Sequence, residues 1–425
     1  MNNDQAAAPP PRTRFLDSLR GLAAIIVVTA HYSASFLPYA VFGNRSLYPR
    51  HWAWEEVFFF FPMSLLTAGH FAVSLFFVLS GYILSIRFLG RKDRWREVLA
   101  ALIKRPIRLA GLLLLSVAIG GLLWRQGLLF NVPAAEISGS QAWLGSFWKG
   151  SFDDGIFLRK LLSMTAGSEY NPPLWTIKIE IVGSFLIFAA IPFLNLLRYR
   201  WRLATHAVII LLLHGSYYQG FFIGMLIADL HKHYRASLKL QRIRQLPGFR
   251  YFEYFMALAA LFFAAYPYYA SERVLLSSVY GGLPDLELLT AQYAMVGAML
   301  MLTVFILSQR LRRLISHPLL YRLGNISYAV YVLHFLILGS LVCWLFERLT
   351  PMIGYFPSMA LACTAGLVVL IPIAVLATRF VDDPSIRLAN KLEDAVLSRL
   401  RACPPVFGRG QTITAEKGQS SLDGS

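Results

Sequence analysis

Arg14-Phe15-Leu16-Asp17-Ser18-Leu19-Arg20-Gly21-Leu22-Ala23-Ala24-Ile25-Ile26-Val27-Val28-Thr29-Ala30-His31 decides how this chain is read. It opens an apolar run over about 15 to 37, and roughly twenty helical residues cross a hydrocarbon core of about 30 Å. Inside that run stand Asp17, Arg20 and His31. At about 100° per residue, Arg20 and His31 fall about 20° apart and Asp17 about 40° from His31, a single stripe about 21 Å long. Facing lipid, such a stripe would be costly, so it must face the interior of a bundle or a wet cavity.

The remaining sequence supplies the bundle. Of 425 residues, 56% are hydrophobic and only 15% charged, a balance far from that of soluble proteins. Apolar stretches recur at about 15 to 37, 70 to 88, 107 to 124, 174 to 196, 203 to 214, 216 to 230, 251 to 269, 288 to 308, 325 to 346 and 355 to 378, the fifth being short. The fold expected is all-α, a polytopic membrane helix bundle of about ten transmembrane helices. Residues 1–13 read as a cytoplasmic tail, 14–380 as the membrane domain and 381–425 as a cytoplasmic, largely disordered tail, with Gly, Ser and Thr prominent from Gly408 onward. Ahead of the first span no secretory signal peptide is legible, because the apolar run is long and no small-residue cleavage site follows it.

The net charge of +17 could suggest nucleic acid, but its distribution argues for topology. Most of the 40 Lys and Arg residues fall in 1–20, 87–109, 198–202, 231–250, 309–322 and 379–425, the segments on one side of a ten-span arrangement. The positive-inside rule then places both termini in the cytoplasm. Nucleic acid is not an expected partner; membrane lipid is. Cys343, Cys363 and Cys403 provide neither a disulfide framework nor metal-ligand spacing. Two long loops on the opposite side, 38–69 and 125–173, carry Trp52, Trp54, Trp143 and Trp148, which suit either function or an interfacial aromatic belt.

Several polar residues sit at membrane depth. A histidine accepts a proton near neutral pH, which makes His31 the candidate general base; a buried histidine bonded across helices is the structural alternative. Asp17 and Arg20 also fit a plain i,i+3 ion pair. Glu180 lies about 9 Å past the start of its span by helical rise, a depth comparable to that of His31, and is expected to orient the imidazole. Lys178 points to the opposite side and reaches the interface. In 323–334, Ser327, Tyr331 and His334 share one helix face, with interhelical hydrogen bonding expected of Tyr331 and either that or substrate contact of His334. Arg105 and Arg108 flank Pro106 at a helix start, an arrangement that suits phosphate as well as topological anchoring.

Together these residues resemble the acyltransferase-3 family of membrane O-acyltransferases, and the resemblance spans nearly the whole chain. It is carried by Arg14 through His31, by Phe76-Phe77-Val78-Leu79-Ser80-Gly81-Tyr82-Ile83-Leu84, by Arg105 to Arg108 and by Leu323 through His334; Leu174-Trp175 with Glu180 and Val381-Asp382-Asp383-Pro384 add to it. Members O-acylate sugars of lipopolysaccharide, peptidoglycan, exopolysaccharide, antibiotics and nodulation factors. The resemblance implies that His31 is the catalytic histidine, that Arg105 and Arg108 serve acyl-coenzyme A, and that Glu180 is the span-4 glutamate. Arg20 is expected to be a further donor contact, and Asp17, Ser80, Tyr82, Trp175, Ser327, Tyr328 and His334 are expected to be substrate contacts or structural supports. Ala110-Gly111 and Gly183-Ser184 depart from the family pattern, and the family's frequent C-terminal periplasmic esterase-like domain is not expected in the fewer than fifty residues after the last span.

The function expected is transfer of an acetyl or other short acyl group from acyl-CoA to a hydroxyl of a cell-surface or secreted carbohydrate or glycolipid. The site would lie in a bacterial inner (plasma) membrane. Acyl-CoA is a donor substrate, and no permanently bound cofactor is expected. The alternative from another class is a transporter or flippase for a glycan or glycolipid, whose polar stripe lines a permeation path.

Overall fold

The computed structural model describes residues 14–402 apart from 92–93, 163–166, 235–241, 243–244, 247, 270–274, 276–277 and 284–286. Every regular element among them is helical. The main helices are α1 (Arg14–Phe36), α2 (Gly69–Ile86), α3 (Trp95–Arg125), α4 (Trp175–Leu196), α5 (Tyr199–Leu212), α6 (Tyr218–Tyr234) and α7 (Phe249–Ala264). They continue with α8 (Glu287–Leu307), α9 (Gln309–Ile315), α10 (Pro318–Asn325), α11 (Ser327–Ile353), α12 (Tyr355–Ala377) and α13 (Asp383–Ala402). A π turn at Leu338–Val342 runs through α11, and a second at Thr378–Asp382 joins α12 to α13.

Among the described residues, six stretches are long and apolar enough to cross a membrane: α1, α2, α3, Pro172–Leu196, α11 and the stretch beginning at Tyr355. A seventh arises if Gln292–Leu307 and Gln309–Ile315, bent by 106°, form one broken span. Helices occupy the other expected positions, but α5, α6 and α7 have 14, 17 and 16 residues, short of the roughly twenty that cross a bilayer at full thickness. Ten full-length spans are therefore not what the helix lengths display.

Helix α1 sits at the centre, packed against α2, α10 and α11. Its approach to α10 is set by glycine. A Cβ on Gly324 would stand 2.0 Å from the Asp17 carbonyl oxygen, and one on Gly21 would stand 2.7 Å from the Gly324 nitrogen. The crossing of α2 and α6 is equally close, because a Cβ on Gly81 would meet the Phe221 carbonyl oxygen at 2.0 Å and one on Gly224 that of Val78 at 2.0 Å. Small residues permit such approaches, which replace the hydrophobic drive that lipid cannot supply.

The segment after Val381 departs from expectation: Asp383–Ala402 is helix α13, laid along α3, rather than disordered chain. Pro384 stands in its first turn, where a missing N–H costs nothing. Ala389 and Glu393 are buried, and the Lys104 ammonium donates to the Glu393 carboxylate at 2.6 Å. Gly111 makes the approach possible, its absent Cβ leaving room for the Ser385 hydroxyl. Gly408 to Ser425 and Cys403 lie outside the described residues.

Candidate active site

Toward the N-terminal end of α1 lies a cavity of about 470 Å³ walled by Asp17, Arg20, Ser80, Arg105, Arg108, Glu180, Ser327 and Tyr328 among others. Arg105 is held on two sides. Its guanidinium is ion-paired through Nη2 with the Glu180 carboxylate, and its Nε donates to the Ser184 hydroxyl at 3.0 Å. Ser80 donates to the same Glu180 oxygen at 2.8 Å. Ser184, one of the two departures from the family pattern, thus steadies an arginine of the motif. Its neighbour Gly183 leaves room for the Phe221 ring. Arg20 and Asp17 approach to 3.8 Å. Arg108, on the same cavity wall, makes no ion pair within 4 Å and no hydrogen bond among the described residues, so its donors are open to a ligand. The Tyr328 hydroxyl donates to the Leu109 carbonyl at 2.8 Å and Ser327 to that of Gly324 at 2.7 Å, which fixes the α10–α11 junction beside the arginines.

Toward the C-terminal end of α1 a second cavity of about 210 Å³ is lined by His31, His70, Trp143, Trp175, Tyr217 and Phe335 among others. His31 faces this cavity and not the surroundings of the bundle. Its Nδ1 lies 2.7 Å from Nε2 of His334. Nδ1 of His334 in turn faces two backbone carbonyls, Tyr331 at 2.7 Å and Val330 at 3.2 Å. A carbonyl only accepts, so His334 carries its proton on Nδ1, and its Nε2 is left with a lone pair. His31 must then donate from Nδ1, which leaves its own Nε2 unprotonated. A two-histidine chain ending on peptide oxygens therefore presents one basic nitrogen. The rings of His31 and His334 are nearly parallel, 5.0 Å apart, and Trp143 stacks on His31 at 5.7 Å.

Trp143 reaches this place from the long loop after α3. Ser140 donates to the Ala34 carbonyl of α1 at 2.8 Å, and the Phe130 amide to Gly339 in the π turn at 2.8 Å. Asn131 fastens the loop internally through the Leu144 and Phe147 carbonyls, at 3.1 and 2.9 Å. The aromatic residues of this loop are thus not spent only on a belt. His70, at the start of α2, faces Tyr217 at 3.0 Å and Tyr269 at 2.9 Å. Sequence reasoning missed His70: it precedes the recognisable Phe76–Leu84 stretch, and its tyrosine partners are more than 140 positions away.

The two cavities meet at Val73 and Tyr331, which line both. Tyr331 is fixed by Thr176 at 2.8 Å and by the Pro173 carbonyl at 3.3 Å, the interhelical role expected for it. Arg20, Arg105, Arg108, Asp17, Ser80, Ser327 and Tyr328 come together in the first cavity, His31 and Trp175 in the second, and His334 stands directly behind His31. One expected pairing is corrected: Glu180 binds Arg105 and Ser80, and the group that orients His31 is His334. The reason is competition, since a carboxylate beside a buried guanidinium is held there far more strongly than beside a neutral imidazole. Tyr82 lines neither cavity and is bonded to His231 Nδ1 at 2.6 Å. Lys178 is exposed, as expected.

Comparison with known proteins gives this geometry its class. Residues 13–378 match the family described as an acyltransferase domain. A Phoma protein named as an acyltransferase is 22% identical over 457 aligned positions, which take in 90% of this chain and 96% of the relative. A second protein so named, from Cochliobolus lunatus, is 24% identical over 464 positions, with 91% and 96% covered. No solved structure matches the chain. The apolar helices and the family together make it a multi-pass membrane protein, and an enzyme rather than a carrier. The chain belongs to the acyltransferase-3 family, and it is an acyltransferase.

Proposed function

We propose that the enzyme moves an acetyl or other short acyl group from acyl-CoA to a hydroxyl of a carbohydrate or glycolipid across the two cavities of the bundle. The observation that carries this reading is the His31–His334 chain, which leaves a basic nitrogen in a cavity that adjoins an arginine-lined one. CoA phosphates meet Arg108 and Arg105, with Arg20 alongside, because guanidinium binds phosphate in bidentate fashion and Arg108 has unspent donors. The pantetheine arm passes between Val73 and Tyr331. His31 Nε2 takes the proton of the acceptor hydroxyl as its oxygen bonds to the thioester carbonyl carbon; the C–S bond then breaks and the departing sulfur takes that proton. While charged, His31 still donates through Nδ1 to His334, so the positive charge is shared with the peptide carbonyls behind it.

In this reading the arginine cavity opens to the cytoplasm, where acyl-CoA is made, and both termini lie there, in the inner (plasma) membrane. The shorter helices α5 to α7 then complete an arrangement of about ten spans by crossing a locally thinned bilayer. The test uses purified protein with labelled acetyl-CoA and glycan acceptors. His31→Ala is expected to abolish label transfer with the protein level unchanged, and transfer that persists in that variant rejects the proposal. Mass spectrometry of cellular and secreted glycans with and without the protein is expected to show a lost acyl mass, which identifies the acceptor.

A further inference from the structure

Beyond the histidine cavity lies a larger recess of about 1150 Å³. Phe42, Trp143 and Tyr269 line both, so the recess is the vestibule of the site. Its floor is the Trp143 ring that stacks on His31, and its walls include Tyr39, Tyr48 and Phe59 from the loop 38–69. The charged residues among its described lining are three: Arg45, Arg50 and Glu56. Arg45 Nη2 and Arg50 Nη1 both donate to the same oxygen, Glu56 Oε1, each at 2.6 Å. Arg45 also donates through Nε to the Tyr39 hydroxyl at 3.2 Å, and its guanidinium lies 5.5 Å from that ring. The hydrogen bonds from Arg45 and then Arg50 hold the Glu56 carboxyl below its ordinary range, so Glu56 is charged and the trio carries one net positive charge. Five N–H donors on each guanidinium exceed what one carboxylate oxygen and one hydroxyl can take up.

Aromatic walls at this scale accept the C–H faces of saturated polyol rings, and a guanidinium with unspent donors accepts an oxyanion. From this we infer that the acceptor is an anionic one: a sugar or similar polyol bearing a carboxylate or phosphate, which Arg45 and Arg50 hold while its ring rests on Trp143. The hydroxyl to be acylated then points down at His31. This deepens the acyl-transfer reading above and rests on it for the identity of the occupant. The charge on the acceptor is a property of the vestibule alone, however, and binding tests it without transfer.

The experiment uses the full chain in lipid nanodiscs and three probes: a glucuronic-acid oligosaccharide, glucose 1-phosphate and a neutral glucose oligosaccharide, with binding measured calorimetrically. One charged probe is expected to bind about tenfold or more tighter than the neutral one, with the margin shrinking at high salt. Preference for the glucuronate probe identifies carboxylate, and preference for the glucose phosphate identifies phosphate. Arg45→Gln with Arg50→Gln is expected to remove the preference, and Arg45→Lys with Arg50→Lys to retain part of it, which separates lost charge from lost folding. Because the preference is read as a ratio of charged to neutral probe on Arg45 and Arg50, it needs no transfer, so failure of the catalytic assignment leaves this result readable. Equal binding of neutral and charged probes, no saturable binding of either charged probe, or an unchanged preference in the Gln pair overturns the inference.

Discussion

At the residue scale the proposed chemistry rests on the two histidines, and the arginines differ in what holds them. His334→Ala leaves His31 without the acceptor that fixes its tautomer, and kcat is expected to fall roughly 10²-fold or more, the range that general base catalysis supplies. The KM for acyl-CoA, read in the same steady-state assay, should hardly move, since His334 is remote from the arginine cavity. Arg105 and Arg108 are expected to separate by readout. Arg105 and Glu180 are a buried pair, and removing one partner of such a pair costs about 3–5 kcal/mol, so Arg105→Ala should lower the melting temperature of the purified protein. Arg108→Ala leaves no buried carboxylate bereft and should mainly raise the KM for acyl-CoA. His31 and Arg20 stood out in the sequence as ionisable residues at membrane depth, and Arg105 and Arg108 as a basic pair around Pro106, although α3 begins at Trp95 and Pro106 stands inside it rather than at a helix start. The partner of His31 was not legible, for helical spacing gives depth and face but not which of two polar groups at one depth a third will choose.

At the element scale, glycines decide how near the helices come, and the sequence revealed the helices more readily than their distances. The polar stripe on α1 and the apolar runs followed from periodicity and hydropathy. The tight crossings at Gly21 and Gly81 became visible only when the facing backbone was placed. Gly81→Val would drive a side chain into the Phe221 carbonyl and is expected to abolish a monodisperse peak in size-exclusion chromatography, whereas Ser85→Ala, on the same helix, should leave it intact. Helix α13 was missed because Asp383–Ala402 is polar enough to pass for tail. Its apolar residues are interleaved with charged ones, and the buried side comprises Ala389 together with the Glu393 carboxylate, which Lys104 on α3 and Arg87 after α2 make tolerable. Hydropathy did not separate the six full-length stretches from the shorter helices for the converse reason: it marks a stretch as apolar without stating whether it is long enough to cross.

For the molecule as a whole, the π turn at Thr378–Asp382 and the start of α13 close the arginine cavity, with Thr378, Asp382, Asp383 and Ile386 on the wall. Ending the chain after Asp382 is expected to raise the KM for acyl-CoA at least several-fold and to lower thermal stability. Glu393→Gln, which weakens one partly buried charge-assisted contact, should cost only about 1.5–3 kcal/mol in stability. Both are checked by steady-state kinetics and thermal unfolding of the same preparations. The partition at Val73 and Tyr331 also bears on the lipid sheet around the enzyme. Val73 and Tyr331 are the side chains common to the described linings of both chambers, so the junction between them is two residues wide. In the proposed reading an acyl fragment crosses this junction while ions do not, so liposomes carrying the enzyme are expected to hold a proton gradient and Val73→Gly to let it decay faster, read with a pH-sensitive dye.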